Sequence, residues 1–113
     1  MNTTAFQAAL PDAPGVVTKT MFGQPAAFID RQMFFGTFGD TLVARIGPSR
    51  VAELVGAGHA TPFVPTEGRP WEDYAQVDAA GDPATHRALA LEALRWTSRL
   101  PPRAKPPKRP RRG

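Results

Sequence analysis

Met33-Phe34-Phe35-Gly36-Thr37-Phe38-Gly39-Asp40-Thr41-Leu42-Val43-Ala44-Arg45-Ile46 is the stretch whose reading decides the fold. Gly39-Asp40 is a two-residue hairpin signal, with glycine where a positive φ is cheap. After it, Leu42, Ala44 and Ile46 alternate with Thr41, Val43 and Arg45. That period of two predicts a strand with one buried face and one less buried.

Upstream, Val16 to Phe22 reads as a strand, Gly23-Gln24-Pro25 as a turn and Ala26 to Ile29 as the next strand. Asp30-Arg31-Gln32 then turns the chain into Met33–Phe38. Four consecutive strands with tight turns make an antiparallel meander, because parallel pairing needs long crossovers. Ahead of them, Thr3 or Thr4 caps a short helix through Leu10, with Phe6, Ala9 and Leu10 facing inward. Pro11-Asp12-Ala13-Pro14-Gly15 stops it.

Downstream, Gly47-Pro48 opens a helix on which Val51, Leu54 and Val55 share a face, Ser49 caps, and Gly56 and Gly58 terminate. Thr61 to Val64 and Asp73 to Val77 read as extended segments around a loop from Pro65 to Pro70. Asp82-Pro83 starts the last helix, a capping carboxylate followed by proline at the first helical position. It runs to about Arg99, and Leu89, Ala93, Trp96 and Leu100 form one apolar stripe able to cover the sheet. Pro101-Pro102 ends it. The expected fold is α+β: an antiparallel sheet of four to six strands flanked by N-terminal and C-terminal helices, in one domain over residues 1–100.

Met21-Phe22-Gly23-Gln24-Pro25, the two hairpins, Gly47-Pro48 with Val51-Ala52-Glu53-Leu54, Thr61-Pro62-Phe63, and Gly68-Arg69-Pro70 with Tyr74 and Val77 follow one another in a particular order. That order, from about Val17 to Leu100, resembles the N-terminal domain of the TfoX/Sxy family, whose fuller members are competence regulators. The resemblance implies an α+β domain with a helix at each end of an antiparallel sheet. Family members usually carry a second glycine where this chain has Gln24. Larger relatives add a C-terminal helical domain associated with transcription control, whereas here a basic stretch follows Leu100.

Charge is unevenly spread. Arg103, Lys105, Lys108, Arg109, Arg111 and Arg112 are six cations without an acid among them, while the other eight Lys/Arg face all ten Asp/Glu. The body is mildly acidic, and the high isoelectric point comes from the tail. Residues 101–113 have no apolar periodicity and read as a disordered, extended, polyproline-like segment. Its cations are the nucleic-acid-binding candidates, since they reach phosphates without a fold. With no cysteine, disulfides and thiol chemistry are excluded and a reducing, cytoplasmic setting is expected. The amino terminus lacks the pattern of a signal peptide, and no run is long enough to span a bilayer, so no membrane partner is expected.

No catalytic constellation emerges, and neither a cofactor nor a metal is expected. His59 in a helix-exit loop and His86 in the first turn of the last helix read as solvated. Glu67, Glu72, Asp73 and Asp78 lie in one stretch but lack a metal-ligand spacing. Ser98 has no base within sequence reach. The sequence therefore reads as a non-enzymatic regulatory or interaction domain with nonspecific nucleic-acid affinity from its tail. The alternative is a stand-alone module for a protein or small ligand, using the sheet face or the loops from Gly56 to Arg69.

Phe22, Phe28, Phe34, Phe35 and Phe38, with Lys19, Arg31 and Arg45 as neighbouring cations, are expected mainly as core, although such sets also stack on bases. Adjacent Phe34 and Phe35 point to opposite faces of a regular strand, so one of them lies on the second face of the sheet. An apolar second face predicts a homodimer through the sheet. Sedimentation at high protein concentration checks this, and a clean monomer overturns it.

Overall fold

The computed structural model describes residues 2–21, 23–66 and 69–100. Helix α1 (Asn2–Ala9) is followed by strands β1 (Val17–Met21), β2 (Gln24–Ile29), β3 (Gln32–Phe38) and β4 (Thr41–Arg45). Helix α2 (Pro48–Gly56), strands β5 (Thr61–Thr66) and β6 (Arg69–Asp78), and helix α3 (Pro83–Ser98) complete the chain. The strands form one antiparallel sheet in the order β1-β2-β3-β4-β6-β5. This is the expected α+β architecture. Phe22, Glu67, Gly68, the expected stop at Pro101-Pro102 and the basic tail lie outside the described residues.

Several local expectations change for identifiable reasons. Gln24 and Pro25 belong to β2, opposite Met21 and Thr20. Gln24 Oε1 accepts from the Gly39 N–H at 2.8 Å, and the Pro25 carbonyl accepts from the Thr37 hydroxyl at 2.8 Å. These bonds tie the start of β2 to the β3–β4 turn, where Gly39 takes the expected positive φ. Thr3 and Thr4 lie inside α1 and do not precede it as caps. Ser49 is not a cap either: Gly47 holds that position, and no side chain there accepts a hydrogen bond. On α3 the cap is as expected, with Asp82 accepting from the Thr85 N–H at 3.2 Å.

Helices α1 and α3 pack together across one face of the sheet. Phe6, Ala27, Ile29, Leu42, Ala44, Ala75, Leu89 and Ala93 fill the space between. Phe34 and Phe35 are both in this cluster, fully buried, and Phe35 stacks on Phe6 at 5.5 Å between ring centroids. The expectation of opposite faces fails because β3 carries a bulge. Ala27 pairs with Phe35 and Phe28 with Met33, which leaves Phe34 as an extra residue. A bulge breaks the alternation, so consecutive side chains share a side.

The second face is covered in large part by the chain's own β5–β6 hairpin. Ala26, Met33, Val43, Phe63 and Tyr74 are buried there, with Phe28, Phe38 and Trp71 packed against them. Val43 is therefore as buried as Leu42 and Ala44, and both faces of β4 are covered. Phe63 on β5 meets Phe38 on β3 with ring centroids 5.1 Å apart. Three strand spacings in a flat sheet would separate them by about 14 Å. The β5–β6 hairpin must therefore curl over the face, and the register shifts flanking Phe63 permit it.

Gly47 sits where β4 meets α2, and its φ is +92°. A Cβ there would lie 2.7 Å from the ring of Trp96. Backbone strain and overlap act together, so Gly47→Ala is expected to cost more than about 2 kcal/mol. Urea denaturation checks this against Gly56→Ala, whose Cβ would meet open space.

Candidate functional site

A second bulge, on β6, builds the most elaborate polar arrangement among the described residues. Pro62 pairs with Ala75 and Phe63 with Trp71, so Glu72, Asp73 and Tyr74 have no registered partner on β5. Their other edge stays tied to β4. Tyr74 pairs with Arg45, and the Asp73 carbonyl accepts from the N–H groups of Ile46 and Gly47 at 2.9 and 3.1 Å. Extra residues of this kind re-aim side chains.

What the bulge aims at is Arg45. Asp73 Oδ2 accepts from Arg45 Nε at 3.3 Å and Nη2 at 3.2 Å, and Gln32 Oε1 accepts from Nη1 at 3.0 Å. The guanidinium lies 5.7 Å from the Tyr74 ring centroid and 5.5 Å from that of Trp96. Tyr74 also donates its hydroxyl to the Met33 carbonyl at 2.6 Å. That carbonyl sits beside the β3 bulge, ahead of the first β3–β4 pair, Phe35 with Ala44. One tyrosine thus joins the two bulges. The Arg45 and Asp73 side chains remain 21% and 32% accessible, so their attraction is partly screened and amounts to about 1 kcal/mol or less.

Beside this hub Trp71, Glu72, Asp73 and Tyr74 line a shallow cavity of about 350 Å³. Most of the guanidinium's donors are committed to Asp73 and Gln32. The half-buried ring of Trp71 and the exposed carboxylate of Glu72 are what the cavity offers. An aromatic surface beside an acid suits a cationic or proline-bearing chain better than an anion.

The residues singled out from sequence are scattered. His86 is buried, not solvated; its Nε2 lies 3.0 Å from the Asp78 carbonyl, and the turn at Gly81 packs against the ring. His59 is exposed and lines an open groove of about 420 Å³ with Asp40, Thr41, Gln76 and Asp78. Of the four clustered acids, Glu67 lies outside the described residues, Glu72 is exposed, and Asp73 is paired with Arg45. Asp78 bonds the Ala80 N–H at 2.9 Å, about 16 Å along the strand from Asp73. Among the described residues no group of three or more acids or histidines is placed to hold a metal ion.

Burial removes Phe34 and Phe35 from any base-stacking surface. Phe28 and Phe38 are half-buried on the second face, and the Lys19 ammonium stands 5.6 Å from the Phe28 ring centroid. Arg31 is exposed in the β2–β3 turn at φ +68°. Arg50, absent from the sequence-based candidates, joins α2 to α3 through Glu92 at 2.8 Å and also meets Glu53 at 3.0 Å. These two carboxylates, Glu92 foremost, raise its pKa. The six tail cations lie outside the described residues. No described helix is long and apolar enough to cross a membrane.

Fold and site first define a class: a small α+β domain whose six-stranded antiparallel sheet is faced by two helices and closed behind by its own hairpin. The TfoX N-terminal domain model matches residues 8–96, and the chain belongs to that family. No curated protein matches the chain.

Tyr74→Phe removes one hydroxyl and leaves the buried Met33 carbonyl without that donor. The expected cost is about 1–2 kcal/mol. For a domain of this size that lowers the melting temperature by roughly 4–8 °C for each kcal/mol, readable by calorimetry. An unchanged melting temperature would show that the bond between the bulges contributes nothing.

Proposed function

We propose that this TfoX-type domain is a non-enzymatic regulatory or interaction module, linked to transcription or competence control and working in the cytoplasm. Nonspecific nucleic-acid affinity comes from Arg103, Lys105, Lys108, Arg109, Arg111 and Arg112. One observation carries this reading. The family match ends at residue 96, and all six of these cations lie beyond it. The rest of the chain holds eight cations against ten acids, a surface with no net attraction for phosphates. Contacts through such a tail supply affinity without reading sequence.

A second reading has its own support. Phe28, Phe38 and Trp71 are only half-buried on the second face, which favours a stand-alone module for a protein or small ligand. A second copy of the chain on that face is one form of it.

Fluorescence anisotropy of labelled duplex DNA and RNA separates the two readings. If all six cations engage a duplex, log K falls against log salt with a slope of about −5. A full-length variant with the six cations changed to glutamine should lose most binding. Absence of binding by the unaltered chain at low salt would overturn the nucleic-acid reading and leave the ligand module.

A further inference from the structure

The body's net charge conceals a local excess of the opposite sign. Helix α3 and its C-cap residue Arg99 carry Arg87, Arg95 and Arg99 against one acid, Glu92. That acid is held by Arg50 of α2 at 2.8 Å, so it sets little against the arginines. Among the described residues, Arg87, Arg95 and Arg99 make no ion pair of their own. Arg87, Leu91, Arg95 and Arg99 recur every four residues, which on a helix makes one slowly turning stripe. The buried side of α3 belongs to His86, Leu89, Ala90, Ala93, Leu94 and Thr97, and all four residues of the stripe are exposed. At helical rise the stripe is about 18 Å long.

Beside it, Ala88, Glu92, Arg95, Trp96 and Arg99 line a recess of about 410 Å³. Trp96 is its aromatic wall, half-buried and held by the body. A Cβ on Gly47 would lie 2.7 Å from the indole, and the Arg45 guanidinium stands 5.5 Å from its centroid. A ring fixed in this way loses little further freedom when something packs on its remaining surface. Arg95 and Arg99, one helical turn apart, border the same recess.

Unpaired cations beside a fixed aromatic ring are the features that hold single strands: the cations follow the phosphates and the ring packs on a base. A duplex matches only the first, because its bases are already stacked and paired. A mononucleotide would occupy the recess and leave Arg87, at the far end of the stripe, unused. We propose that this face of α3 binds single-stranded nucleic acid, with a base against Trp96 and successive phosphates on Arg99, Arg95 and Arg87. It is a second site for the ligand class inferred for the tail, and it stands or falls without the tail.

The test uses the full-length variant with six tail glutamines, ¹⁵N-labelled, with the indole resonances of the chain's two tryptophans assigned by Trp71→Phe. Oligothymidylate of about ten nucleotides, within the span of known single-strand sites, should shift the Trp96 resonance saturably. Duplex DNA and thymidine monophosphate at the same concentration should leave it in place. By anisotropy, three phosphate contacts give the single strand a log–log salt slope of about −2. Arg95→Gln with Arg99→Gln should reduce that slope to about −0.7. Both residues are exposed, so the melting temperature should not move.

A Trp96 resonance unmoved by millimolar oligothymidylate overturns the site, even if the natural chain binds nucleic acid through its tail. A shift produced equally by the mononucleotide overturns the strand reading. A Trp96 that responds to the strand alone, in a chain whose tail binds no duplex, keeps this site and removes the tail reading.

Discussion

Phe34 is one residue too many for its strand, and most of the domain is arranged around that surplus. A regular β3 would have sent Phe34 and Phe35 to opposite faces. The bulge sends both under α1 and α3, where Phe35 stacks on Phe6. A domain of this length has limited interior, so two phenylalanines on one side set how far the helices stand from the sheet. The cost is an interrupted ladder, with the Met33 carbonyl ahead of the first β3–β4 pair. Tyr74, reaching across from β6, satisfies it.

The remedy imposes a second irregularity. For Tyr74 to reach Met33 and still pair with Arg45, β6 departs from the register of β5 at Glu72, Asp73 and Tyr74. That departure frees the hairpin to curl, and the curl lays Phe63 over the second face against Phe38 and Trp71. The same bulge brings Asp73 to Arg45 and leaves Trp71 and Glu72 around a surface cavity. The two bulges are thus joined through Tyr74, and the polar site lies at the second of them. The site brings together aromatic rings and paired charges.

Much of the fold is legible in the residues because it depends on local rules. Gly39-Asp40 marks its hairpin through the backbone freedom of glycine, and Asp82-Pro83 starts α3 through a side-chain cap and a fixed φ. Phe6, Ala9, Val51, Leu89 and Ala93 face inward because helical spacing puts them there. Local rules fail where a distant group intervenes. Gln24 and Pro25 look like a turn until Gly39 and Thr37 bond to them. His86 looks solvated until the Asp78 carbonyl and the turn at Gly81 close over it. The candidate site is the least legible part. Arg45 was visible only as a cation and Trp96 only as a member of an apolar stripe, because their meeting depends on strands and a helix separated along the chain.

The sequence by itself determined the α+β class, the Gly39-Asp40 hairpin, the start of α3 and the separation of a mildly acidic body from a strongly basic tail. Each of these follows from neighbouring residues: turn preference, periodicity, capping and charge composition. Only the tertiary structure decided that Phe34 and Phe35 share a face, that β5–β6 covers the other, and that Arg45, Asp73, Gln32, Tyr74 and Trp96 form one hub. A bulge adds a residue without changing the hydrophobic pattern around it. The register that reveals it exists only once the partner strand is in place.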